Sequence, residues 1–106
     1  MKALKPAIAT LTVVLLTAPF ATAQSVEALY KSKCAACHGP DGNSPAPAFP
    51  KLAGQYASYI EKSLNEYKSG VRKDPIMAGM AAPLSKEDIE NLAAFFASQS
   101  GLKTKY

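Results

Sequence analysis

Residues 34–39 read "CAACHG", and this stretch holds both cysteines and the single histidine of the 106-residue chain. Three kinds of site use such a cluster: a redox-active disulfide, a metal site and a covalent haem anchor. A disulfide across two intervening residues closes too short a loop to restrict the unfolded chain much. A structural zinc ion normally has four protein ligands, and the chain offers no further Cys or His.

The N-terminal residues have the three-part composition of a secretory signal peptide. Lys2 and Lys5 precede an apolar run centred on 11–16, and the small-residue triplet 21–23 follows. A membrane-spanning helix needs about 20 apolar residues, and threonines and a proline interrupt this run. We therefore expect residues 1–23 to be removed in the periplasm, which leaves a mature domain over 24–106 with no membrane anchor.

The expected mature chain is one small domain of modest charge. Loss of Lys2 and Lys5 with the leader lowers the formal net charge from +4 to +2. This charge does not favour a nucleic-acid partner. A domain of this size has a small hydrophobic core and usually needs reinforcement, which a large apolar cofactor would supply.

Three amphipathic segments predict three main helices in an all-α domain. The first follows Ser25 as N-cap and runs into the cysteine pair, and the second begins near Tyr56 and ends at Gly70. The third follows Ser85, which forms a capping-box pattern with Asp88. No stretch alternates as strands do. The apolar positions with helical spacing include Val26, Leu29, Tyr30, Ile60, Leu64, Tyr67, Ile89, Leu92, Ala93 and Phe96.

Two stretches between these helices are rich in proline and glycine and predict irregular loops. They read "GPDGNSPAPAFPKLAG" over 39–54 and "VRKDPIMAGMAAPL" over 71–84. Proline fixes its own φ and lacks a backbone donor, which opposes regular structure. Loops of this length in a small domain are typically functional or ordered around a ligand.

The motif Cys-x-x-Cys-His has a mechanical interpretation as a haem anchor. The spacing lets the sulfurs of Cys34 and Cys37 add to the two vinyl groups of one haem, while a helical turn brings His38 beneath the iron. A thioredoxin-like disulfide would follow a strand in a βαβ unit, and the chain has no such pattern. Together with the export signal, the motif predicts one covalently bound haem c per chain.

The chain resembles the class I cytochromes c, and more narrowly one haem domain of the small periplasmic bacterial cytochromes that include the dihaem type. The resemblance extends from Val26 to Gln99 through "CAACHGPDGNSPAPAFPKLAGQ", "YKSG", "IMAGMAAPLS" and "IENLAAFFASQ". It implies three main helices and long loops wrapped around one covalently attached haem. It also implies that the first and last helices pack together, with Tyr30 against Phe95 or Phe96.

The resemblance further implies that His38 and a methionine thioether are the axial ligands of the iron. On spacing alone either Met77 or Met80 could serve. Relatives place the ligand seven residues before the apolar residue that precedes the last helix's N-cap, and this register selects Met77. Met80 is then an apolar cover for the haem.

Members of the family also supply partners to the histidine and to the haem propionates. In these proteins a proline carbonyl accepts a hydrogen bond from the second ring nitrogen of the ligand histidine. Position after the motif favours Pro45, with Pro47 as the alternative. The residues that the resemblance suggests near the propionates are Gln55, Tyr59 and Arg72.

An iron ligated on both sides leaves no position for a substrate, so we predict an electron carrier and not an enzyme. Its partners would be a donor dehydrogenase or membrane complex and an acceptor oxidase, reductase or reaction centre. In the alternative, the chain is the haem c subunit of a larger periplasmic oxidoreductase, such as a flavin-dependent sulfide dehydrogenase, bound to a flavoprotein. A gas sensor or peroxidase would require that neither Met77 nor Met80 binds the iron.

Overall fold

The computed structural model describes residues 2–15 and 25–104. Residues 2–15 form no helix or strand. The expected cleavage site after Ala23 lies outside the described residues, so removal of the leader stays a prediction. No helix within the described ranges combines the length and apolar character needed to cross a membrane.

Helices are the regular structure of the described chain, which contains no strand in those residues. This confirms the prediction of an all-α domain. Three of the helices correspond to the predicted ones, and two short helices lie between them. In chain order they are α1 (Val26–Lys33), α2 (Ala35–His38), α3 (Ala57–Ser69), α4 (Pro75–Ala81) and α5 (Lys86–Ser98).

The predicted helix ends are confirmed by their capping contacts. The Ser25 hydroxyl accepts from the backbone N–H of Ala28 at 3.2 Å. At the start of α5, the Ser85 hydroxyl accepts from the Asp88 N–H at 3.0 Å, and the Asp88 carboxylate accepts from the Ser85 N–H at 2.9 Å. Gly70 ends α3 in the left-handed conformation with φ +84°, which glycine adopts without a Cβ clash.

A small hydrophobic core lies between α1, α3 and α5. Its most buried large side chains are Tyr30, Ile89 and Leu92. The Tyr30 ring lies 4.7 Å from the Phe95 ring and 5.2 Å from the Phe96 ring, measured between centroids. These contacts confirm that the first and last helices pack together through aromatic side chains.

The stretch over 71–84 is only partly the irregular loop that its prolines and glycine predict. Residues Pro75–Ala81 form α4, so the prediction of irregular structure is wrong for them. Pro75 occupies the first turn of the helix, where its missing N–H would have no intrahelical partner in any case. Asp74 caps that turn with its side chain. The proline therefore begins a helix here instead of preventing one.

The Tyr30 hydroxyl also holds the loop that follows the CAACH motif. It accepts from the buried Gly42 N–H at 2.8 Å, and the Gly42 carbonyl in turn accepts from the N–H groups of Leu52 and Ala53 at 2.8 and 3.1 Å. Gly42 has φ +85°, and a Cβ there would lie 3.0 Å from both the Ala53 nitrogen and the Phe96 ring. The beginning and the end of the loop thus meet at Gly42, which the Tyr30 side chain of α1 holds in place.

We expect Tyr30→Phe to lower the free energy of unfolding by about 1–3 kcal/mol, because it leaves the buried Gly42 N–H without an acceptor. Denaturant unfolding of the haem-loaded protein measures this. Tyr67→Phe is the matched control, since it removes the hydroxyl of a half-buried tyrosine whose ring lies under Arg72. Equal stability of the two variants would contradict the role assigned to the Tyr30 hydroxyl.

Candidate functional site

The CAACH motif forms one tight turn at the junction of α1 and α2. Cys34 ends α1 and precedes α2, and its carbonyl accepts from the N–H groups of Cys37 and His38 at 3.2 and 3.0 Å. Both cysteines are half-buried free thiols. Burial raises the pKa of the Cys34 thiol, and the charge of Lys33 opposes that rise. The turn thus presents two thiols and an imidazole within five residues.

His38 is 7 % exposed, and its ring is oriented by a backbone carbonyl. Its Nδ1 lies 2.9 Å from the Pro50 carbonyl oxygen. Because a carbonyl oxygen can only accept, Nδ1 carries the proton and donates it in this contact. In the neutral ring with this tautomer, Nε2 has the free lone pair that can bind a metal.

The predicted acceptor for His38 was wrong, since neither Pro45 nor Pro47 makes this contact. The bonds from Leu52 and Ala53 to the Gly42 carbonyl fold the end of the loop back to its beginning. That closure brings Pro50, near the end of the loop, beside the imidazole. Sequence reasoning chose among the prolines by distance along the chain, which does not report this long-range closure.

A second glycine lets the chain turn directly after His38. Gly39 has φ +84°, and a Cβ at this position would lie 2.6 Å from the Asn43 carbonyl oxygen. A side chain here would displace the start of the 39–54 loop. The glycine of "CAACHG" is therefore needed for the close approach between the motif and its loop.

Phe49 forms part of the surroundings of the imidazole. Its ring centroid lies 6.4 Å from that of His38, with the rings at 69°. Two thiols at the anchor spacing, an imidazole with Nε2 available and an aromatic neighbour form a donor set that fits a c-type haem. The residues present thus agree with the group that the motif predicts.

The two candidate methionines, Met77 and Met80, lie on α4, away from the CAACH turn in sequence. Met77 is half-buried and packs against the hydrophobic core, whereas Met80 is 41 % exposed. The Asp74 carboxylate accepts from the backbone N–H of Met77 at 3.0 Å, and α4 packs on α3. An iron bound by both His38 and Met77 would therefore join α2 to α4. This ligand pair stays a prediction.

Two of the three residues suggested as propionate partners make other side-chain contacts, and the third is exposed. The Gln55 side-chain oxygen accepts from the Tyr56 N–H at 2.9 Å. Arg72 lies 4.8 Å above the Tyr67 ring and reaches the Ser63 hydroxyl at 3.3 Å. Tyr59 is 49 % exposed on α3. Their propionate contacts stay predictions.

Sequence reasoning missed the contact of Pro50 with His38 and the contact of Asp74 with the backbone of Met77. For Asp74 a signal was present, because an Asp directly before a proline is a typical start of a helix. For Pro50 the sequence carries no comparable local signal, since its contact with His38 spans 12 residues.

Comparison with known proteins adds independent findings. The sequence model of the family described as "Cytochrome c" matches residues 23–100. The chain is 52 % identical over 77 residues to cytochrome c4 of Stutzerimonas stutzeri, covering 64 % of this chain and 37 % of that protein. It is 48 % identical over 62 residues to the thiosulfate dehydrogenase electron acceptor of the same species, covering 58 % of this chain and 29 % of that protein.

A solved structure agrees with these matches. The structure of reduced recombinant cytochrome c4 from Pseudomonas stutzeri superposes with a TM-score of 0.64 at 47 % identity. The alignment covers 76 % of this chain and 48 % of that chain. The chain thus spans about half the length of that structure and a smaller share of the two curated relatives.

Proposed function

This chain belongs to the cytochrome c family and has the class I cytochrome c fold, and we propose that it is a periplasmic monohaem electron carrier. In this proposal it takes single electrons from a donor enzyme or complex and passes them to a terminal acceptor. It performs no substrate chemistry of its own. The N-terminal leader pattern supports export to the periplasm.

Members of the family bind haem c covalently, and the chain's own residues have separate roles in holding it. Cys34 and Cys37 would hold the haem through thioether bonds to its two vinyl groups, each formed by addition of one S–H group across a vinyl double bond. His38 would offer Nε2 to the iron from the same turn. When bound, the haem supplies an iron that alternates between ferric and ferrous states.

The observation that carries the proposal is the 2.9 Å contact between His38 Nδ1 and the Pro50 carbonyl. It selects the imidazole tautomer that can bind iron and holds the buried ring in one orientation. With Met77 as the second ligand, the chain would supply both protein ligands of the iron. Such an iron favours electron transfer over binding of a substrate.

Acid–acetone extraction of the protein isolated from its native periplasm tests the covalent attachment. We expect the colour to stay with the protein and the intact mass to equal that of residues 24–106 plus one haem. Haem that is extracted freely would overturn the proposal. A mature apoprotein with a disulfide between Cys34 and Cys37 would do so as well.

The relative named as an electron acceptor of thiosulfate dehydrogenase favours a periplasmic oxidoreductase as the electron donor. A second candidate follows from this, in which the chain is a permanent haem c subunit of such an enzyme, for example a flavin-dependent sulfide dehydrogenase. Native purification separates the two. A free carrier elutes alone and reduces reversibly, whereas a subunit elutes in fixed stoichiometry with a larger flavoprotein chain.

A further inference from the structure

The helix that carries Met77 and Met80 begins with two backbone hydrogen bonds to one side chain. The Asp74 Oδ1 atom accepts from the backbone N–H groups of Ile76 and Met77, each at 3.0 Å. These two donors would otherwise have no partner within the first turn of the helix. Asp74 is thus bonded directly to the backbone of the candidate ligand Met77.

This contact matters because α4 is short and depends on its cap as well as on its packing against α3. The helix has seven residues, which include Gly79, and Ala81 is its fully buried residue. A helix this short is marginal unless caps and tertiary packing support it. At its other end, the Lys68 ammonium donates to the Leu84 carbonyl between α4 and α5. Side-chain contacts therefore hold the segment before and after its helical turns.

We propose that Asp74 is a positioning residue for the axial thioether. Its carboxylate fixes the backbone of Met77, and through it the direction from which the sulfur approaches the iron. The proposal rests on the proposed function, since it takes Met77 as the second axial ligand. Asp74 itself need not touch the haem for this role.

The consequence is a change in how easily the thioether leaves the iron. An external ligand binds only to molecules in which Met77 has dissociated, so its apparent affinity is proportional to the fraction of such molecules. Loss of the cap destabilises the ligated arrangement and increases that fraction. Loss of an N-cap of this type lowers helix stability by about 1 kcal/mol, which corresponds to roughly a fivefold change in apparent imidazole affinity.

The test is titration of the ferric, haem-loaded protein with imidazole. Binding is measured as the loss of the weak far-red absorption that the iron–thioether bond produces. We expect Asp74→Ala to bind imidazole roughly fivefold more tightly than the unchanged protein. Asp74→Asn should stay within about twofold, because asparagine caps helices as well as aspartate does. Comparison of the two variants separates the effect of losing the helix cap from the effect of losing the carboxylate charge.

Ser85→Ala is the matched control, because it removes a side-chain cap from α5, which carries no candidate ligand. It should lower overall stability by a similar amount and leave imidazole affinity unchanged. Equal affinities for Asp74→Ala and the unchanged protein would overturn the proposal. So would a Ser85→Ala effect as large as that of Asp74→Ala, because it would show a general loss of stability.

Failure of the inference and failure of the proposed function give different results. If the unchanged protein lacks the iron–thioether absorption, Met77 is not the ligand and the proposed function fails in its ligand set. If the absorption is present, Met77→Ala abolishes it, and Asp74→Ala leaves imidazole affinity unaltered, the positioning role alone fails. The covalent haem persists in every variant, since all of them keep Cys34 and Cys37.

Discussion

Met77→Ala in the haem-loaded protein is expected to bind carbon monoxide in the ferrous state and to have a lower reduction potential than the unchanged protein. Removal of the thioether opens a coordination position, which a diatomic ligand can occupy. A thioether ligand raises the potential of a histidine-ligated haem. We therefore expect a fall on the order of 0.1 V, within the roughly 0.8 V that axial ligands span. Absorption spectroscopy under carbon monoxide and a redox titration measure the two effects.

Met80→Ala is the matched control, because it removes the same group three residues further along α4. Met80 is 41 % exposed, whereas Met77 packs against the core. In the control variant the iron should remain six-coordinate. The free energy of unfolding should fall by less than the about 2–5 kcal/mol expected when a buried methionine is replaced by alanine. If Met80→Ala binds carbon monoxide and Met77→Ala does not, the register inferred from the family is wrong.

The double substitution Cys34→Ala/Cys37→Ala is expected to abolish cooperative folding. The domain is small, and few large side chains among the described residues are fully buried. The 39–54 loop folds back on Gly42 beside the His38 side chain, where a bound haem would add apolar contacts. Circular dichroism should show low helix content and no cooperative thermal transition.

Single substitutions control for the loss of the thiols themselves. Cys34→Ala keeps one attachment point at Cys37 and should retain haem with reduced stability. A compact double variant that melts cooperatively would contradict the expectation, since it would show that the helical core suffices without the cofactor. Binding of haem by His38 alone in that variant would be seen as colour that acid–acetone removes.

Much of the site could be predicted because its signals are local. The attachment motif occupies five consecutive residues, and its spacing alone relates Cys34, Cys37 and His38 to one cofactor. Helix ends were predictable for the same reason. Ser85 and Asp88 bond to each other's backbone within one turn, and Gly70 adopts a left-handed conformation that its own lack of a Cβ allows.

The tertiary structure decided the features that depend on distant contacts. Pro50 accepts from His38 because Gly42, held by the Tyr30 hydroxyl, closes the loop between them. The helix α4 forms where prolines and glycine suggested a loop, because Asp74 caps it and α3 supports it. Local sequence records the conformational preference of each residue. It does not record which carbonyl a closed loop brings beside a given side chain, because that position depends on hydrogen bonds between residues far apart in the chain.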